Sequence, residues 1–159
     1  MTTPFSGMVE KARLTDAGAI QKLVNYFADR DEMLHRALSD VYENIRDFFV
    51  YREAGEILGC GSLHVLWDDL AEVKAMAVKE ERHGQGIGSL IVQACLDEAK
   101  TMGVPTVFLL TYRPTFFERF GFERVDMMTL PRKVWRECYE CPKFPNCEEI
   151  AMVLPLSSG

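Results

Sequence analysis

The sequence predicts an α/β (α+β) fold, and three observations carry that prediction. Strand-like and helix-like patterns alternate along the chain. A strand-like run over residues 71–78 breaks into a loop, Gly84-Gln85-Gly86-Ile87-Gly88, and an amphipathic helix follows at once. The 159 residues, 48% hydrophobic and 26% charged, match the size and composition of one globular domain. A chain of this length buries roughly two thirds of its unfolded surface, enough for one core without a disulfide or a metal.

The elements follow in order. Residues 9–13 read as a first strand. Thr15 or Asp16 can cap a helix whose apolar positions Ala19, Ile20, Leu23, Val24 and Phe27 recur at three- and four-residue spacing. Ser39 can cap a second helix with Val41, Ile45 and Phe48 on one side. Residues 48–52 and 57–66, joined by Glu53-Ala54-Gly55-Glu56, read as a hairpin. After the strand at 71–78, Ile87, Leu90, Ile91, Ala94, Cys95 and Met102 form the buried stripe of a helix stopped by Gly103 and Pro105. Residues 106–111 form another strand, and a helix and a closing strand pair complete the order. No repeat, linker or low-complexity run is present. Residues 1–7 and 157–159 read as flexible tails around a single domain over 8–156.

The glycine loop carries chemistry. Gly84, Gly86 and Gly88 lack Cβ and can aim successive N–H groups into one hollow, and the helix that follows adds unpaired N–H groups and its positive dipole end. Together these make an anion seat suited to a pyrophosphate. A Walker loop would need Lys and Ser/Thr after its last glycine, and here Gly88 is followed by Ser89 and Leu90. A dinucleotide fingerprint fits poorly, because Ser89 stands at its third glycine and the loop lies mid-chain.

The segment resembles motif A of the GNAT acetyltransferases, in which a Leu-Ala-Val strand runs into a Gln/Arg-x-x-Gly-x-Gly/Ala loop and a helix. Met76-Ala77-Val78 ends the strand here, and His83-Gly84-Gln85-Gly86-Ile87-Gly88 fills the loop, with His83 where the family usually has Gln or Arg. Phe116-Phe117-Glu118-Arg119-Phe120-Gly121-Phe122 is similar to the family's Tyr-x-x-x-Gly-Phe motif, with Phe117 in the tyrosine position. The resemblance covers residues 8–156. It implies a GNAT fold: a mixed, mostly antiparallel sheet with splayed central strands and flanking helices. It also implies acetyl-CoA as cofactor, held by Met76, Ala77, Val78, His83, Gly84, Gln85, Gly86, Ile87, Gly88, Ser89 and Phe117. Splayed strands leave backbone groups that can pair with the pantetheine arm, and the N–H near Met76 or Val78 would face the acetyl oxygen as it becomes an oxyanion.

An attacking alkylammonium must first lose a proton, directly or through water. Glu72 is the expected base, since strand alternation puts Glu72, Lys74, Met76 and Val78 on one face unless a bulge intervenes. A surface Glu72–Lys74 ion pair is the plainer reading of the same residues. The leaving thiolate needs a proton, which Phe117 cannot supply; Tyr112 or water remains. Tyr112 also reads as a rim tyrosine.

Residues 130–152, with Ala71-Glu72-Val73, Ala75-Met76-Ala77-Val78 and Leu110-Thr111-Tyr112-Arg113, resemble the short, stand-alone amino-acid N-acetyltransferases of arginine biosynthesis, which make N-acetylglutamate. The implied small-molecule substrate is L-glutamate. No amino-acid-kinase domain fits in 159 residues, so feedback through one is not expected. Two carboxylates call for cations, and Lys74, Arg113, Arg132 and Lys133 are the candidates beside the bland reading of solvated charges. Other amines stay open (a polyamine, a different amino acid, a protein N-terminus), as does a non-catalytic acyl-CoA sensor.

A net charge of -6 argues against general nucleic-acid binding. No apolar run approaches the roughly twenty residues that span a bilayer, and Met1-Thr2-Thr3-Pro4-Phe5 lacks a signal core, so a cytoplasmic protein without a membrane partner is expected. Oligomeric state stays open, a homodimer included. Cys60 and Cys95 suit small buried side chains, whereas Cys138, Cys141 and Cys147 could put thiolates on one metal. A further ligand would have to be His35, His64, His83, Glu148 or water, so no metal is expected and a packing loop is the first reading. His64 reads as a packing or hydrogen-bonding residue and His83 as loop support.

Overall fold

The computed structural model describes residues 7–130 and 149–156. The strands are β1 Met8–Lys11, β2 Phe48–Glu53, β3 Glu56–Trp67, β4 Leu70–Val78, β5 Thr106–Thr111, β6 Glu123–Val125 and β7 Ile150–Pro155. The helices are α1 Ala17–Ala28, α2 Leu38–Glu43, α3 Ile87–Met102 and α4 Pro114–Glu118. The strands hydrogen-bond as a seven-stranded sheet in the order β1-β2-β3-β4-β5-β7-β6. β4 and β5 run parallel, while β1/β2, β2/β3, β5/β7 and β6/β7 are antiparallel, so the sheet is mixed as expected. Two compact units divide the chain. One takes the residues up to Leu63 with Val73–Glu98; the other takes His64–Glu72 with Ala99 onward.

In the first unit the β2–β3 hairpin turns on Ala54 (φ 51) and Gly55 (φ 78). Positive φ at both central residues is the type I′ turn, whose twist matches that of the flanking strands. α1 buries Ala17, Ile20, Leu23, Val24 and Phe27 in one cluster with Val41, Ile45, Phe48, Val50, Ile57, Cys60 and Ala77. Ala19, expected on that stripe, is exposed and Ala17 takes its place. Ser39 does not cap α2: the helix begins one residue earlier, after Ala37, ends by Asn44, and Phe48 already belongs to β2.

Asp16 stands at the α1 N-cap without a side-chain capping bond. Its carboxylate instead accepts from the Arg13 N–H at 2.8 Å and from Arg52 at 2.7 Å, and Arg52 also pairs with Glu10 at 2.7 Å. A cap is worth about 1 kcal/mol, and an unpaired buried carboxylate costs several, so the ion pair dictates the rotamer. Gly7, counted in the tail by sequence, donates its N–H to Tyr51 Oη at 3.1 Å.

β3 is buried continuously from Ile57 to Leu63. On one side of it, a Cβ added at Gly59 would stand 3.0 Å from Ile87 and Ile91, and one at Gly61 would stand 2.7 Å from Ile91 and 2.3 Å from Met76. The two glycines therefore set how closely α3 approaches the sheet, and with it where the glycine loop ends. α3 buries Ile87, Ile91, Val92, Cys95, Leu96 and Ala99, whereas Met102 is 57% exposed. Periodicity gives a direction but not the reach of the neighbouring elements, and the last turn runs past its cover. Gly103 closes the helix at φ 81.

The second unit is built on β7. β5 pairs with it from Thr106↔Pro155 to Thr111↔Ile150, and β6 takes its other edge from Glu123↔Val153 to Val125↔Ala151. Leu70, Phe108, Leu130 and Ala151 form its core cluster, with Leu66, Leu110, Val125, Met127 and Val153 packed against it. The β4–β5 ladder comprises Ala71↔Val107 and Glu72↔Phe108.

Candidate active site

β4 does not alternate throughout. Ala75 has φ 55, a left-handed conformation inside a strand, which is the mark of a β-bulge. The expectation that Glu72, Lys74, Met76 and Val78 share one face is therefore corrected, since a bulged residue shifts the parity of every side chain beyond it. Glu72 and Lys74 precede Ala75 and are half-buried; Met76 and Val78 follow it, also half-buried, with Ala77 buried between them. Side chains of β3 meet the carbonyls at the bulge: Ser62 Oγ donates to Lys74 O at 3.1 Å and Cys60 Sγ to Ala75 O at 3.5 Å.

The loop after β4 is held by its own residues. His83 Nε2 lies 2.6 Å from Val78 O, so it donates to the strand's last carbonyl, and its ring stacks on Phe27. Arg82 pairs with Glu53 at 2.7 Å and donates to Gln85 Oε1 at 2.7 Å. Gly84 (φ 80) and Gly86 (φ 90) take the left-handed backbone expected of them, whereas Gly88 is already part of α3. The first intrahelical bond runs from Leu90 N–H to Gly86 O at 3.2 Å, which leaves the amides of Ile87, Gly88 and Ser89 without a helical acceptor. A Cβ at Gly84 would meet nothing within 4 Å. Gly84, Gln85 and Gly86 are exposed, Gly88 and Ser89 half-buried, and Ile87 buried.

In the second unit Tyr112 is half-buried after β5, and Arg113 is exposed with its N–H donated to Thr111 Oγ1 at 2.8 Å. Phe117 is buried in α4, edge-on to Phe116 and Phe122. Arg132, Lys133, Cys138, Cys141, Cys147 and Glu148 lie outside the described residues.

Residues 44–124 match the acetyltransferase (GNAT) domain. An uncharacterized N-acetyltransferase of Chlorobaculum tepidum is 40% identical over 93% of this chain and 96% of its own length. An amino-acid acetyltransferase of Mycobacterium tuberculosis is 36% identical over 82% of this chain and 76% of its own. The chain belongs to the GNAT acetyltransferase family. A Mycobacterium tuberculosis structure in complex with CoA superposes with a TM-score of 0.83 at 32% identity, covering 94% of this chain and 99% of that one. The Neisseria gonorrhoeae N-acetylglutamate synthase, complexed with coenzyme A and N-acetyl-glutamate, shares the fold at a TM-score of 0.86 and 20% identity, over 95% of this chain and 35% of that one.

This GNAT protein is an acetyl-CoA-dependent N-acetyltransferase. Its loop fits the donor's pyrophosphate on physical grounds: there is open space beside Gly84, two glycines take left-handed backbone, and three helix-start amides have no helical acceptor.

One cation that the sequence did not single out is fixed in the fold. Arg36 precedes α2, and its backbone is fixed to α1: Gln21 and Asn25 side chains both donate to its carbonyl at 3.1 Å, and its N–H donates to Asn25 Oδ1 at 2.9 Å. Its side chain is only 13% exposed and pairs with Asp40 at 3.0 Å. The signal was weak, because a lone arginine in a polar loop looks solvated until Gln21 and Asn25 are seen to anchor it.

Cys60 is buried, and burial pushes its thiol up to about 12; burial does the same to Cys95. Both stay protonated thiols rather than nucleophiles. His35 pairs with Asp29 at 2.5 Å, and His64 is half-buried in β3. Among the described residues no three His, Cys, Asp or Glu side chains group as a metal site, and no helix is long and apolar enough to cross a membrane.

Proposed function

We propose that the protein transfers the acetyl group of acetyl-CoA to the α-amine of L-glutamate, as an N-acetylglutamate synthase. Arg36 carries this reading: a guanidinium largely withdrawn from solvent, anchored through its backbone to α1 and paired with the half-exposed Asp40 carboxylate at 3.0 Å. A planar, permanently charged fork suits a carboxylate, and a dicarboxylic amino acid brings two. Lys74 and Arg113 are the further cations assigned to it, with Arg132 and Lys133 as reserves. The name amino-acid acetyltransferase, carried by a relative 36% identical over most of this chain, supports the acceptor class.

In the proposed reaction Glu72 takes a proton from the ammonium, directly or through water, and the freed amine attacks the thioester carbon. The C–N bond forms as charge moves onto the acetyl oxygen, where the N–H near Met76 or Val78 stabilises it. The C–S bond then breaks as the nitrogen gives its second proton to water, leaving the neutral amide, and the thiolate takes a proton from Tyr112 or water.

The test is thiol release from acetyl-CoA with each common amino acid, a polyamine and an N-terminal peptide. The highest kcat/KM is expected with glutamate, and Arg36→Ala should impair glutamate far more than glutamine. Turnover of the polyamine or peptide with none of any amino acid would sink the assignment. CoA binding without turnover of any amine would make the protein an acyl-CoA sensor.

A further inference from the structure

We propose that the tripeptide Cys60-Gly61-Ser62 of β3 is a cradle for the bulge of β4, with Ser62 and Cys60 as positioning residues for the acetyl-transfer step. The inference rests on the reading that the amide near Met76 faces the acetyl oxygen.

Each residue of the tripeptide meets a different part of residues 74–77. Ser62 Oγ holds the carbonyl of Lys74 from the near side of the bulge. Cys60 Sγ holds the carbonyl of Ala75 and also takes a hydrogen bond from the Ala77 backbone, so one sulfur brackets both peptide groups that flank Met76. Gly61 has no side chain where Met76 Sδ lies, and any Cβ there would overlap it. β2 backs the tripeptide through the register Phe48↔Ser62, Phe49↔Gly61 and Val50↔Cys60.

The chemistry explains why side chains are needed. A residue at φ 55 rotates its peptide groups out of the regular ladder, and a buried carbonyl without a donor costs about 1–3 kcal/mol. Ser62 is 2% exposed and Cys60 fully buried, so water does not substitute for either donor. A hydroxyl and a protonated thiol are donors of suitable length, and the thiol keeps its proton because burial disfavours the thiolate. An oxyanion donor must be fixed before the reaction, and a displacement of about 1 Å at such a group costs up to 10²-fold in rate. The two side chains therefore act on turnover through the backbone they hold, not by touching the acetyl group.

Ser62→Ala, Cys60→Ala and Cys60→Ser decide the matter. Ser62→Ala and Cys60→Ala should lower kcat about tenfold or more, with the Kd for CoA within about twofold of the parent. Cys60→Ser, which keeps a donor, should recover most of the loss. The Met76 amide resonance is the second readout: it should shift on adding acetyl-CoA to the parent and shift less in Ser62→Ala. No response in the parent would refute the reading beneath the inference. A full response in a folded Ser62→Ala protein, or unchanged kcat in both alanine variants, would overturn the inference itself. If Ser62→Ala does not fold, the two Cys60 variants read the same bulge, and equal kcat for alanine and serine at that position would count against it.

Discussion

At Gly86 the backbone sits at φ 90, where a β-branched side chain is strained by about 1–3 kcal/mol and stands where a pyrophosphate would approach. Gly86→Val should raise the Kd for CoA at least about tenfold with the fold retained, a comparison for calorimetry and circular dichroism. Glu72→Gln should lower kcat by about 10²–10⁴-fold and leave CoA binding intact if Glu72 is the base; full activity at every pH would reduce it to a strand residue. Asp16 makes a different kind of claim. Burial works to raise its carboxyl pKa, but the hydrogen bonds from Arg52 and the Arg13 amide outweigh it and hold the group below its ordinary value. A lowered folded pKa stabilises the fold above the unfolded value near 3.9, and the gain is lost as pH falls through the folded pKa. Asp16→Asn should thus cost about 1.5–3 kcal/mol at pH 7, and its denaturation midpoint should converge on the parent's below about pH 4.

At the scale of elements, the contact of β3 with α3 decides where the glycine loop ends. Gly61→Ala would place a methyl 2.7 Å from Ile91 Cγ2 and 2.3 Å from Met76 Sδ. The methionine end can swing aside, but the isoleucine methyl sits on a packed helix, so α3 must shift. The expected loss is about 1–3 kcal/mol, read as a lower Tm, with weaker CoA binding because the helix-start amides move too. The β2–β3 turn, α1 and the β5 strand were legible beforehand, since turn chemistry and apolar spacing are local. Met102 and Ser39 were misassigned because exposure at a helix end and the choice of cap depend on neighbours in space.

For the whole molecule, the proposal of one domain over residues 8–156 predicts one cooperative unfolding transition. Acetyl-CoA at about 100 times its Kd should stabilise the folded state by about 2.7 kcal/mol and raise that Tm by several degrees. Two calorimetric transitions, only one of them responding to acetyl-CoA, would instead make the two compact units independent.

The sequence by itself determined the order of strands and helices and the glycine loop between β4 and α3, along with the family they belong to. Each depends on residues adjacent in the chain: glycines at alternate positions, a helix starting on the next residue, apolar side chains at fixed spacing. It also named Glu72, Lys74, Tyr112 and Arg113 as chemically able groups, without their geometry. Only the tertiary structure decided that Ala75 bulges, that Asp16 serves Arg52 rather than its helix, and that Arg36 is drawn in from solvent. Each of those outcomes is a competition between a local preference and a partner 11 to 36 residues away, as in Arg36 with Asn25 and Arg52 with Asp16. Local pattern carries no trace of such partners, because burial, which makes an unpaired polar group costly, exists only once the chain has folded.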